Sequence, residues 1–140
     1  MGNVVKMKVL IADDEPGVRR LLRETLSGEY RVVEAQNGRE AIEMVMAERP
    51  DIVLLDMIMP EMDGLSACSV IKNAAATKAI PVIMISAITY ELNKKLAEKG
   101  AGASAYITKP FSPNEVRETV ASALSGERVA CDPAMPTATR

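Results

Sequence analysis

Hydrophobic spacing along the chain switches repeatedly between a period near two and a period near 3.6. Residues 5–12 are apolar with Lys6 and Lys8 interleaved, and predict a first strand that stops at Asp13. Val18, Leu21, Leu22 and Leu26 then mark one helical face, with Arg19, Arg20, Arg23 and Glu24 opposite, until Gly28. Pro16 suits the first turn of that helix, and the acids ahead of it complement the helix dipole. Residues 30–35 predict a second strand. Asn37-Gly38 supplies a turn and a cap, and Ala41, Ile42 and Val45 line a second helix that Pro50 stops. Ile52, Val53, Leu54 and Leu55 follow as an unbroken apolar run ending on Asp56. A strand apolar on both faces belongs in the middle of a parallel sheet.

Pro60 and Asp63-Gly64 turn the chain into a third helix over about 64–73, with Leu65, Cys68 and Ile71 inward. Residues 81–86 predict a fourth strand ending at Ser86. Leu92 and Leu96 mark a fourth helix whose outer face carries Lys94, Lys95, Glu98 and Lys99. A fifth strand over 105–108 precedes Lys109, and a fifth helix starts near Pro113 with Val116, Val120 and Leu124 inward. Five strand–helix alternations with short loops imply right-handed crossovers. The expected fold is α/β: a flavodoxin-like doubly wound (βα)5 domain over residues 1–125, with a parallel five-stranded sheet of order 2-1-3-4-5. Residues 126–140, with Pro133, Pro136 and no periodicity, read as a disordered tail or the start of a linker.

Composition narrows the function. The 140 residues are 48% apolar, enough for one core, and 17 basic against 19 acidic residues leave a net charge of −2. No basic stripe supports direct nucleic-acid binding by this domain, and no apolar run is long enough for a membrane span. The expected location is cytoplasmic. Cys68 and Cys131 are too few and too far apart for a disulfide framework or a zinc site, and Cys68 has core spacing. With no histidine, the usual transition-metal sites and histidine acid–base catalysis are excluded.

What remains is at the strand ends. Asp13 and Asp14 follow the first strand, Asp56 the third, Ser86 the fourth and Lys109 the fifth; the second contributes nothing of the kind. A lone Asp after a strand more often ends or caps it. In the order 2-1-3-4-5, however, these four strands lie side by side and their polar ends converge at the carboxyl edge, where such sheets bind ligands. Two or three carboxylates with a loop carbonyl suit Mg2+, a lysine ammonium and a serine hydroxyl suit a phosphoryl group, and an aspartate can itself be the nucleophile.

Asp13-Asp14-Glu15-Pro16, Asn37-Gly38 with Glu40-Ala41, Asp56 with Met59-Pro60 and Met62-Asp63-Gly64, Ser86-Ala87, and Gly102-Ala103 through Tyr106 to Lys109-Pro110-Phe111 occur in order over residues 7–125. This set resembles the receiver domain of two-component response regulators. The resemblance implies that Asp56 accepts a phosphoryl group from the phosphohistidine of a sensor histidine kinase or phosphotransfer protein. It implies Mg2+ on Asp13, Asp56 and the main-chain carbonyl of Ile58, with Asp14 assisting. Lys109 and Ser86 would contact the phosphoryl group, and Ser86 and Tyr106 would switch a surface made of the fourth helix, fifth strand and fifth helix. A downstream effector domain or protein would read that surface, and a phosphorylation-dependent dimer is compatible with it. Such a domain is a phosphoacceptor and not an enzyme that turns over substrate.

Two departures matter. Ser104 and Ala105 stand where receivers that dimerise through this surface in winged-helix regulators carry an acidic pair, and Gly100-Ala101 lengthens the approach to the fifth strand. The apolar residues at the family's variable positions, Ile58 and Ile88, imply slow loss of the phosphoryl group. Other classes fit less well. A haloacid-dehalogenase-type phosphatase needs an acid two positions after its nucleophile, where Ile58 stands, and a flavin carrier needs a phosphate loop that Asp13-Asp14-Glu15 would repel. A vestigial interaction module would have no need of every site residue.

Overall fold

The computed structural model describes residues 5–87 and 102–126. Five parallel strands, β1 (Lys8–Ala12), β2 (Arg31–Ala35), β3 (Ile52–Asp56), β4 (Val82–Ser86) and β5 (Ala105–Thr108), form one sheet of order β2-β1-β3-β4-β5. The helices are α1 (Pro16–Leu26), α2 (Gly38–Glu48), α3 (Gly64–Asn73) and α4 (Pro113–Leu124), the last being the fifth predicted from the sequence. The expected fold and strand order are those observed. The fourth predicted helix with Leu92 and Leu96, together with Ile88, Cys131 and residues 127–140, lies outside the described residues.

Alternation sends successive side chains of each strand to opposite faces. Val9 and Ile11 of β1, Ile52 and Leu54 of β3, and Ile83 and Ile85 of β4 pack on one face beneath α1 and α4. Leu10, Ala12, Val53, Leu55, Val82 and Met84 pack on the other beneath α2 and α3. β3 is buried throughout, which is why its sequence shows no alternation.

Local chemistry sets the helix starts. Pro16 opens α1, Asn37 caps α2 by accepting from the Glu40 N–H, Asp63 caps α3 by accepting from the Ser66 N–H, and Ser112 caps α4 by accepting from the Glu115 N–H. The predicted inner face of α1 needs correction at Leu21, which is 41% exposed. Val18, Leu22 and Leu26 straddle one line at 100° per residue, and Leu21 sits about 100° from its centre. Arg19 also departs from the solvent face assigned to it: it is tucked against β2, with 15% of its side chain exposed. The first strand starts at Lys8, later than expected, because Val5 to Met7 are exposed and have no core to cover.

Two glycines let backbone approach backbone beside the carboxyl edge. A Cβ on Gly64 would lie 2.0 Å from the Asp56 carbonyl oxygen, and one on Gly38 would lie 2.1 Å from that of Met62. Neither neighbour is a side chain that could swing away. Gly64→Ala should therefore destabilise the domain by about 2–3 kcal/mol through a forced backbone shift. Gly28→Ala, with nothing within 4 Å of the added methyl, should stay within about 0.5 kcal/mol of the parent. Urea unfolding of both variants checks the contrast, and equal stabilities would contradict the close approach.

Candidate functional site at the carboxyl edge of the sheet

The ladders that build the sheet also place the site. Asp13 directly follows β1, and its N–H donates to the Ala35 carbonyl at 3.2 Å, prolonging the β1–β2 pairing by one residue. Asp56 is the last residue of β3, and the Met57 N–H donates to the Ile85 carbonyl at 2.9 Å just beyond it. The Lys109 N–H donates to the Ser86 carbonyl at 2.9 Å, so Lys109 leaves β5 beside the end of β4. The Lys109–Pro110 peptide is cis. By strand parity, Asp13 and Asp56 continue the rows of Ile11 and Leu54, on the α1 and α4 face. Ser86 continues the row of Val82 and Met84, on the face where Tyr106 packs half-buried against the α2 and α3 core.

Asp13, Asp14 and Asp56 each bring a carboxylate oxygen within 4.8 Å of the other two. Asp13 and Asp56 are buried and Asp14 is exposed. The Lys109 ammonium sits among acids: 3.3 Å from Asp13 Oδ2, 3.5 Å from Asp56 Oδ2 and 3.5 Å from Glu15 Oε1. The remaining oxygens are partly satisfied locally. Asp13 Oδ1 accepts from the Glu15 N–H at 2.9 Å, and Asp56 Oδ1 accepts from the Ile58 N–H at 3.4 Å. Ser86 is buried at the end of β4, whereas Ile58, two residues past the end of β3, is 62% exposed. The structure thus gathers Asp13, Asp14, Asp56 and Lys109 tightly and puts Ser86 and Tyr106 on a shared face of neighbouring strands. Glu15 is a lysine partner that the sequence marks only as part of the acidic approach to Pro16; its signal was its place in the same run as Asp13.

One lysine does not neutralise this cluster. Burial, then repulsion from Asp13, raises the Asp56 carboxyl from 3.8 to about 6, against the pull of Lys109 and the Ile58 N–H. Burial also raises Asp13, opposed by the Glu15 N–H and by Lys109. For Lys109, burial would lower the ammonium, but Asp13, Asp56 and Glu15 outweigh it and raise it. A surplus of buried negative charge carried only by oxygen donors fits a hard divalent cation such as Mg2+.

The sign of the pH dependence follows. The folded state holds the Asp56 proton more tightly than the unfolded chain, so its contribution is fully present below about pH 4 and is lost as pH rises through about 6. In metal-free buffer, Asp56→Asn should therefore be more stable than the parent at pH 7.5, by at most about 3 kcal/mol, since each tenfold change in proton affinity is worth about 1.4 kcal/mol and the lost Lys109 pair offsets part of it. The gain should vanish below about pH 4. Thermal unfolding of both proteins across this range checks it, and a pH-independent difference would contradict it.

Comparison with known proteins agrees with this geometry. Residues 9–121 match the family model for the response regulator receiver domain. The chain is 43% identical over 117 residues to the transcriptional regulatory protein ResD of Bacillus subtilis, covering 83% of this chain and 47% of that protein. It is 42% identical over 119 residues to the chemotaxis protein CheY of Halobacterium salinarum, covering 84% and 97% respectively. The chain thus spans about half the length of the transcriptional regulator and nearly all of the chemotaxis protein. Among solved structures, the signal receiver domain of a signal transduction histidine kinase from Syntrophus aciditrophicus superposes with a TM-score of 0.80 at 31% identity, over 86% of this chain and 91% of that one. With its sheet order, its acidic edge and these relatives in agreement, the chain belongs to the response regulator receiver domain family.

Proposed function

We propose that this domain receives a phosphoryl group on Asp56 from the phosphohistidine of a sensor histidine kinase or phosphotransfer protein, and passes the signal to an effector domain or protein through a changed surface. The observation that carries this reading is the convergence of three carboxylates and one lysine ammonium on the end of the central strand. In the transfer, an Asp56 carboxylate oxygen forms a bond to phosphorus as the phosphorus–nitrogen bond to the donor imidazole breaks. Asp56 is mostly ionised at neutral pH, since its raised value of about 6 still lies below 7. Lys109, already 3.5 Å from Asp56, offers its charge to the incoming phosphoryl oxygens. Asp13, Asp56 and the main-chain carbonyl of Ile58 would hold Mg2+, with the exposed Asp14 assisting; when bound, the ion supplies the positive charge that relieves repulsion between carboxylates and phosphoryl group.

Ser86 and Tyr106 provide the switch. The Ser86 hydroxyl would donate a charge-assisted hydrogen bond to a phosphoryl oxygen, worth about 1.5–3 kcal/mol, enough to shift a two-state element by tenfold or more. Tyr106, half-buried on the same face one strand over, would move into the space that Ser86 leaves. Among the described residues, no helix is long and apolar enough to cross a membrane, and a cytoplasmic location suits a kinase-coupled role.

Incubation with acetyl phosphate and Mg2+ should add one phosphate to the wild-type chain and none to Asp56→Asn, because the amide is neither a nucleophile nor an anionic ligand. Intact-mass analysis reads the result; equal labelling of the variant would refute the acceptor assignment. Hydrogen exchange on the labelled wild type should then change in β5 and α4, and changes confined to α1 and α2 would contradict the proposed switch.

Ile58, exposed two residues after Asp56, would flank the approach to the phosphorus, and its side chain has no polar group with which to orient an attacking water. Ile58→Asn should speed release of phosphate by about tenfold, equivalent to about 1.4 kcal/mol in the barrier, while Mg2+ affinity should hold because residue 58 would contribute only its main-chain carbonyl to the ion. Phosphate-release kinetics decide this, and unchanged rates would show that the side chain does not control water access.

A further inference from the structure

β2 lends no residue to the acidic cluster, yet it is tied to it through Arg19. The Arg19 guanidinium donates from Nη1 to the Asp13 carbonyl oxygen at 2.7 Å and from Nε to Glu34 Oε1 at 3.1 Å. Glu34 lies on β2, paired in register with Ile11, two residues before Asp13. Its other oxygen accepts from Arg23 Nε. The carboxyl is held below its ordinary value by Arg23 and, after burial is set against it, by Arg19. The Arg19 side chain is 15% exposed and that of Glu34 29%, so this is a partly desolvated fork and not a loose surface pair.

Every polar group of Asp13 is engaged. Its N–H donates to Ala35, its carbonyl accepts from Arg19, and its carboxylate oxygens accept from the Glu15 N–H and from Lys109. A cation bound at the site would draw on the carboxylate oxygens and loosen the Lys109 contact. The main-chain bonds to Ala35 and Arg19 use neither of those oxygens and would go on holding the residue. A guanidinium can serve Glu34 and the Asp13 carbonyl together because its donors are fixed in one plane; a lysine ammonium has no such fork.

We infer that Arg19, aimed by Glu34 of β2, is a positioning residue that orients the Asp13 main chain so that the Asp13 carboxylate is preorganised for a divalent cation. This rests on the reading of the acidic cluster as a Mg2+ site given above. Electrostatics alone points the other way: removing a cation from behind Asp13 should, if anything, tighten Mg2+ binding. The two roles therefore differ in sign.

The test is calorimetric titration of the full, unphosphorylated chain with MgCl2 at fixed ionic strength, comparing wild type, Arg19→Ala and Arg19→Lys, with circular dichroism to confirm folding. Positioning predicts an Mg2+ Kd weakened by about tenfold in Arg19→Ala, the lower bound of what loss of a partner behind a metal ligand costs, and an intermediate value in Arg19→Lys. An Arg19→Ala Kd equal to or tighter than wild type, with only the melting temperature lowered, would show a plain β2–α1 staple and overturn the inference. If Arg19→Ala does not fold, Arg19→Lys decides: it keeps the charge and loses the fork, so weaker binding supports positioning and unchanged binding overturns it. Failure of the wild type itself to bind Mg2+ would overturn both this inference and the site reading beneath it, an outcome distinct from a variant-specific failure.

Discussion

The structure depends on holding like charges together at one edge of the sheet. Asp13 and Asp56 are buried with Asp14 beside them, and only one described ammonium, that of Lys109, reaches between them. Each carboxylate is anchored by a neighbouring main-chain N–H, and both are raised above their ordinary range by burial. An arrangement that lowers stability at neutral pH in this way is expected where chemistry, not packing, requires it. The two-layered apolar core supplies the rigidity that keeps the carboxylates from moving apart.

Rigidity next to Asp56 also comes from close backbone contact. Gly64 sits under the Asp56 carbonyl and Gly38 under that of Met62. The Gly64 N–H donates to the Met57 carbonyl at 2.7 Å. The segment after β3 is thus clamped between the starts of α2 and α3, each of which has its own side-chain cap. Ile58, exposed on that segment, thus stands on backbone with little room to shift. On the other face of the sheet, Tyr106 of β5 is half-buried against the α2 and α3 core.

Much of this was legible in the residues alone. The unbroken run of β3, the alternation of period, and the turn and cap residues Asn37-Gly38 and Asp63-Gly64 determined the doubly wound fold, because burial on two faces and helix capping are local requirements that leave local marks. Strand order then placed Asp13, Asp56, Ser86 and Lys109 at one edge, since polar residues at the ends of adjacent parallel strands must converge. What the sequence could not decide were relations across elements. Leu21 counts as apolar wherever it falls, and only the packed angle of α1 leaves it exposed. Arg19 looks like one more solvent-facing arginine, and only the register of β2 against β1 brings Glu34 to it while it also holds the Asp13 carbonyl. Likewise Glu15 joins Lys109 only because β5 ends beside β4. Local propensity acts between residues near in sequence, whereas the Arg19–Glu34 and Lys109–Asp13 pairs join residues 15 and 96 positions apart and exist only once the sheet has formed.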